Sequence, residues 1–209
     1  METKLTLTPE QLFFLGTVMD AEHINYAYIA ALGELQRNYN RTRRKCLDEL
    51  VQAGVLRERL SGELLLKPAP KKLLSNLFFG KKETELEVFT LGEKPSQNTV
   101  RFHWSENSVT RVNVKNTCFE IFESSEQALE ALVQELVAGA ENPLPVSHIQ
   151  RDAVTRIITA KQATVDVDSK GTVLFEQYGG LYTVDNNGTA VGLSAEQAKI
   201  ALLSQLKGE

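Results

Sequence analysis

Histidine, cysteine and clustered carboxylates are the side chains best able to do chemistry, and this chain spreads them thinly. Its three histidines, His23, His103 and His148, fall in three separate stretches, and none has a second His or Cys at metal-ligand spacing. The two cysteines, Cys46 and Cys118, lie far apart, which fits reduced thiols better than a disulfide framework. Cys46 sits between Lys45 and Leu47 on a predicted helix, with nothing to activate it beyond nearby positive charge. Cys118, in "TCFEIFES", reads as a small apolar residue of a strand. "DVDSKG", ending at Gly171, resembles half a calcium loop, but it lacks the third acidic position, the correctly placed glycine and the closing glutamate. A strand running into a turn accounts for it better. There is no Gly-x-Ser-x-Gly elbow, no glycine-rich phosphate loop and no His-Glu-x-x-His. The sequence therefore predicts no catalytic residues, no metal ligands and no cofactor, and it points to a binding protein rather than an enzyme.

Composition is that of an ordinary globular chain. The 209 residues are 42% hydrophobic and 24% charged with a formal net charge of −4, enough for one substantial core or two small ones. "METKLTLTPEQ" carries no apolar h-region of a secretory signal. No stretch approaches the ~20 apolar residues of a membrane helix. Asn40-Arg-Thr and Asn187-Gly-Thr match the glycosylation pattern by coincidence in a chain expected in the cytoplasm.

The elements that would position a binding surface fall into two regions, 1–82 and 83–209. Thr8-Pro9-Glu10-Gln11 combines a threonine cap, a first-turn proline and a glutamine that closes a capping box. Further helices are predicted through "NYAYIAALGELQ" and from about Arg41 to Ala53, ending at Gly54. Two short strands around Ser61-Gly62 follow. Helices then a hairpin is the order of a winged-helix module. Residues 1–82 carry 13 Lys and Arg against 9 Asp and Glu, while the remainder is acidic. A winged-helix transcriptional regulator with an α/β sensing domain is thus the alternative function. Against it, the basic cluster Arg41, Arg43, Arg44 and Lys45 is short, and Asp48 and Glu49 stand at helical ion-pair spacing. Specific nucleic-acid binding is not expected.

The second region repeats itself. "SSEQALEALVQEL" and "SAEQAKIALLSQL" match at Ser124/Ser194, Glu126/Glu196, Gln127/Gln197, Ala128/Ala198, Leu132/Leu202 and Leu136/Leu206. Each opens with Ser-x-x-Gln, a capping box, so two ordinary amphipathic helices converging by chance is the competing account. Upstream, Thr99-Val100-x-Phe102 answers Thr172-Val173-x-Phe175, each opening a run of short strands, with "DNNG" at Asp185–Gly188 a hairpin signal. Helices around Pro70–Phe79 and around Ser147–Ile158 precede the two sheet segments. The expected fold is α+β: N-terminal helices with a wing-like hairpin, then an antiparallel sheet. Its two duplicated β-α halves, 83–140 and 150–209, are related by a pseudo-twofold axis.

This layout resembles the EspG family of type VII (ESX) secretion-associated chaperones, nearer its Firmicutes-type relatives. The stretches that carry the resemblance are "LTLTPEQLFFLGTVMDAEHINYAYIAAL", "CLDELVQAGVLRERLSGELLL" and "LSNLFFGKKETELEVFTLGE". The resemblance implies a bacterial, cytosolic protein-transport chaperone that covers the tip of a helical secretion substrate (a WXG100, LXG or PE/PPE-like protein) and keeps it export-competent. It implies no cofactor, no catalysis and no membrane contact, and it leaves homodimerisation open. The partner-binding candidates are Arg101, Phe102, His103 and Trp104 on the aromatic strand, with Gly92 and Lys94 in the polar Gly92–Gln97 loop before it. Trp104 serves equally well as core.

Overall fold

Thr8, Pro9 and Gln11 start the first helix as their order predicts. The structure, a computed structural model, describes residues 4–21, 39–106, 108–115, 118–162 and 171–208. Thr8 caps α1 (Pro9–Val18): its hydroxyl accepts from Gln11 N at 3.3 Å, and Gln11 Oε1 accepts from Thr8 N at 3.0 Å. Such caps contribute about 1 kcal/mol. A strand the sequence did not announce, β1 (Lys4–Leu7), precedes it. The helix expected through "NYAYIAALGELQ", His23, and the turn expected before Gly171 lie outside the described residues.

Helix α2 (Tyr39–Gln52) ends where Gly54 adopts φ 71°, a left-handed conformation that glycine takes without steric cost. The wing follows as β2 (Leu56–Glu58) and β3 (Leu64–Leu66), paired antiparallel, and then α3 (Pro68–Phe79). Arg41, Arg43 and Arg44 are exposed, with Arg44 3.3 Å from Asp48 and Lys45 3.7 Å from Glu49. Exposed pairs of this kind contribute ~0–1 kcal/mol. Replacing all three arginines by alanine is expected to shift urea-unfolding stability by no more than about 1 kcal/mol. Salt-resistant binding to a defined DNA site, lost in that variant, would promote the regulator reading.

The remaining strands form two meanders, each closed by a helix. β4 (Lys82–Thr90), β5 (Ser96–Trp104), β6 (Val109–Val114) and β7 (Phe119–Ser124) lead to α4 (Glu126–Val137). β8 (Val154–Gln162), β9 (Thr172–Gln177), β10 (Gly180–Val184) and β11 (Ala190–Leu193) lead to α5 (Ala195–Lys207). With β1 they make a nine-stranded sheet ordered β1-β7-β6-β5-β4-β8-β9-β10-β11. The meanders meet at the antiparallel pair β4–β8.

Two expectations need correcting. The segment expected as a helix around Ser147–Ile158 is a short 3-10 turn, Arg151–Ala153, followed by β8. Val154, Thr155, Ile157, Ile158 and Thr159 are β-branched, and pairing with β4 on one side and β9 on the other makes the run a central strand. The helix match is also out of register by one residue. Ser124 still belongs to β7, so Ser125 caps α4, accepting from Ala128 N at 3.2 Å. Ser194 caps α5 with its full box. Burial follows the caps, not the letters: Leu129, Val133 and Val137 against Ala198, Leu202 and Leu206.

The chain divides into two compact units, residues 1–81 with 103–123, and residues 82–102 with 124–209. The first buries Leu12, Leu15, Leu50, Leu56 and Leu74 against Val112, Phe119 and Ile121. The second packs α5 on β4, β8 and β9. Lys207 ties α5 to α4, its Nζ 2.7 Å from both Glu126 and Glu130. The hydrogen bonds it donates to these two carboxylates raise its pKa above the ordinary lysine value. Cys46 is buried in the first unit, and burial, with Glu49 and Glu10 nearby, pushes its thiol up to about 11, an unreactive state.

Candidate functional site

The strand chosen from sequence is mostly interior. Arg101, Phe102 and His103 are 8%, 0% and 3% exposed, and Trp104, the last residue of β5, is half-buried. Gly92 and Lys94 are exposed in the β4–β5 turn. That turn spans only residues 91–95, because Ser96 and Gln97 already belong to β5, so no long loop adjoins "RFHWS". The alternation across residues 99–104 gives one aromatic and one polar side, yet Thr99, Arg101 and His103 are all buried. In the second unit the reason is a charge network: Arg101 Nε donates to Glu85 Oε2 at 2.6 Å.

Strand register sorts the side chains of this unit onto two faces. Leu86, Ile158, Ala160 and Leu174 share one face, all at most 1% exposed, and α5 packs there through Ala198, Leu202 and Leu206. The other face carries the alternate residues. Phe89, Ile157, Phe175 and Tyr182 stand opposite one another across β4, β8, β9 and β10, an unbroken apolar row. Phe89, Ile157 and Phe175 are half-buried, and Val173, one rank along, is exposed. An antiparallel sheet with one face on helices ordinarily turns a polar face to solvent, so an apolar row there is a candidate interaction surface.

The segment between α4 and β8 finishes the row. Tyr182 is 1% exposed because residues 141–144 cross it: its hydroxyl accepts from Leu144 N at 2.8 Å and donates to Leu144 O at 3.1 Å. Pro143 fits only because Gly180 and Gly192 lack side chains; an added Cβ at either would come within 2.8 Å and 2.6 Å of it. Leu144 itself is 55% exposed.

Charge closes the face at its β4–β5 side. Glu85 accepts from Arg101 and, through Oε1, from Lys161 Nζ at 2.6 Å, and Glu83 lies 3.7 Å from Arg101. Burial opposes ionisation of Glu85, but Lys161 and Arg101 together outweigh it and hold the carboxyl below its ordinary value. Among the described residues no His, Cys, Asp and Glu group could hold a metal ion. The described side chains of this face offer apolar surface beside an internally paired charge network. The sequence reading singled out Arg101, which the structure places in the charge network, and did not single out Phe89, Ile157 and Phe175. "LEVFT", "TRIIT" and "TVLFE" each carry alternation that register alone assembles into a row.

No sequence-family model matches this chain, and no curated protein matches it in sequence. Its fold does match a solved structure, the Mycobacterium tuberculosis type VII secretion system chaperone EspG5 in complex with the PE25–PPE41 dimer. The TM-score is 0.60 at 8% sequence identity, over 98% of this chain and 97% of EspG5. The fold is therefore EspG-like, α+β with five helices and a nine-stranded antiparallel sheet among the described residues. The neighbour is mycobacterial, and nothing in the match singles out the Firmicutes-type branch. No helix among the described residues is long and apolar enough to cross a membrane.

Proposed function

We propose that this chain is a cytosolic, non-enzymatic type VII secretion chaperone that binds the tip of a helical PE/PPE-like, WXG100 or LXG partner before export. In this reading residues 83–140 and 150–209 are copies of one β-α unit that follows a helical, wing-bearing region at 1–82. The observation that carries the reading is the end-to-end fold likeness to a chaperone solved in complex with the PE25–PPE41 dimer. The half-open apolar row supports it, because a helical partner's exposed apolar end needs a matching cover. It also moves the predicted contact from Arg101–Trp104 to the Phe89–Ile157–Phe175 row.

Co-expression in the native host tests this. The expected result is a stable 1:1 complex with a helical secretion substrate, and loss of that substrate's export on deletion of the chaperone. A chain that purifies alone at every salt concentration, with export intact after deletion, is not this chaperone.

A further inference from the structure

One rank of the apolar-row face is polar and incompletely paired. Glu87 on β4 stands opposite Thr159 on β8, which stands opposite Val173 on β9. Glu87 Oε2 is 3.7 Å from Lys161 Nζ, while Oε1 meets Gln97 Nε2 at 3.3 Å and Thr99 Oγ1 at 3.4 Å. All three contacts are long for a carboxylate, and Lys161 gives its 2.6 Å contact to Glu85 instead. Beside it, Thr159 Oγ1 is screened from solvent with no hydrogen-bond partner. A slackly held carboxylate next to an unsatisfied hydroxyl is an arrangement that gains from an incoming N–H donor. The wider field agrees in sign. The unit that carries this face holds 9 Lys and Arg against 15 Asp and Glu, which favours a basic partner segment.

We propose that Glu87 and Thr159 form a notch for a basic side chain of the helical partner, arginine in preference to lysine. The proposal rests on the docking reading above and specifies what the partner must present. Arginine is preferred because its planar fork can serve Glu87 and Thr159 together, where an ammonium is a single point. Spacing narrows the motif further. Glu87 and Phe89 are two residues apart on one strand face, roughly 7 Å. Helix positions three or four apart are about 5–6 Å from one another. The partner therefore carries its arginine one helical turn from the apolar residue that seats on Phe89, Ile157 and Phe175.

The test uses a phage-displayed library of helical hairpins with randomised tips, selected on the full-length protein and counter-selected on Phe175→Asp. The expected result is Phe175-dependent binders with arginine or lysine three or four positions from an apolar anchor. Glu87→Gln weakens these at least tenfold, and Thr159→Val severalfold, while binders without a basic residue are unchanged by either. Phe175-dependent binders with no basic preference, or with affinity indifferent to Glu87→Gln and Thr159→Val, overturn the notch and leave the docking face standing. A library yielding no Phe175-dependent binder overturns the docking face, and the notch with it.

Discussion

Arg101→Met is expected to destabilise the isolated protein by about 3 kcal/mol, measured by urea unfolding at neutral pH. Arg101 and Glu85 are both nearly closed off from solvent, with side-chain exposures of 9% and 5%, so removing the guanidinium leaves a carboxylate interior and short of a partner. Lys161 remains 2.6 Å away, but its side chain is 45% exposed, which keeps the loss at the lower end of the range for a broken buried pair. Methionine fills much of the volume, so the cost is electrostatic rather than a cavity. The double change Glu85→Leu with Arg101→Met is expected to recover most of the stability, because apolar replacement of a whole buried pair is often neutral. Additive losses would show that the two side chains act independently.

The same pair sets an acid limit on stability. The folded Glu85 carboxyl titrates below its unfolded value, so its stabilisation is complete above the ordinary carboxylate range. It is lost as pH falls from there through the depressed folded value. Glu85→Gln is expected to lower stability at neutral pH and to flatten that acid limb.

Much of what short-range chemistry decides could be read from the letters, the cap expected at Ser124 being the exception. The Thr8 and Ser194 caps, the wing turn at Gly62 and the hairpin at Asp185–Gly188 each depend on a few adjacent residues, and each formed as expected. The strand β8 shows where this stops. "VTRIITAKQ" is long enough to read as a helix, and only β4 and β9 on either side commit it to the sheet. The apolar row was hidden for a related reason. Phe89, Ile157 and Phe175 are distant in sequence and share a face only through two antiparallel registers, whereas Phe102 and Trp104 drew notice by being aromatic and adjacent to Arg101. The two helices with matching letters carry the subtlest lesson. A one-residue offset between matching letters and matching burial means that identity at Leu132/Leu202 pairs a half-buried position with a fully buried one.

Phe175 and its neighbour Leu174 offer the sharpest test of the face assignment, since successive strand residues point to opposite sides. Leu174 is 0% exposed, on the face where α5 packs. Leu174→Asp buries a charge with no partner, and the variant is expected to fail to fold or to lose more than ~4 kcal/mol. Phe175→Asp puts the same charge on the half-open face, where solvent can reach it, so the melting temperature is expected to stay within several degrees of the parent. Binding should respond in the opposite sense. A central aromatic anchor typically carries 2–4 kcal/mol of an interface, so Phe175→Asp is expected to weaken the complex with a helical secretion partner by roughly 30- to 1,000-fold. Ile157→Asp, directly opposite on β8, should act alike, and the two should not add if they seat the same side chain. Retained affinity in a folded Phe175→Asp protein would mean that the partner docks elsewhere, and the apolar row would then be without its occupant.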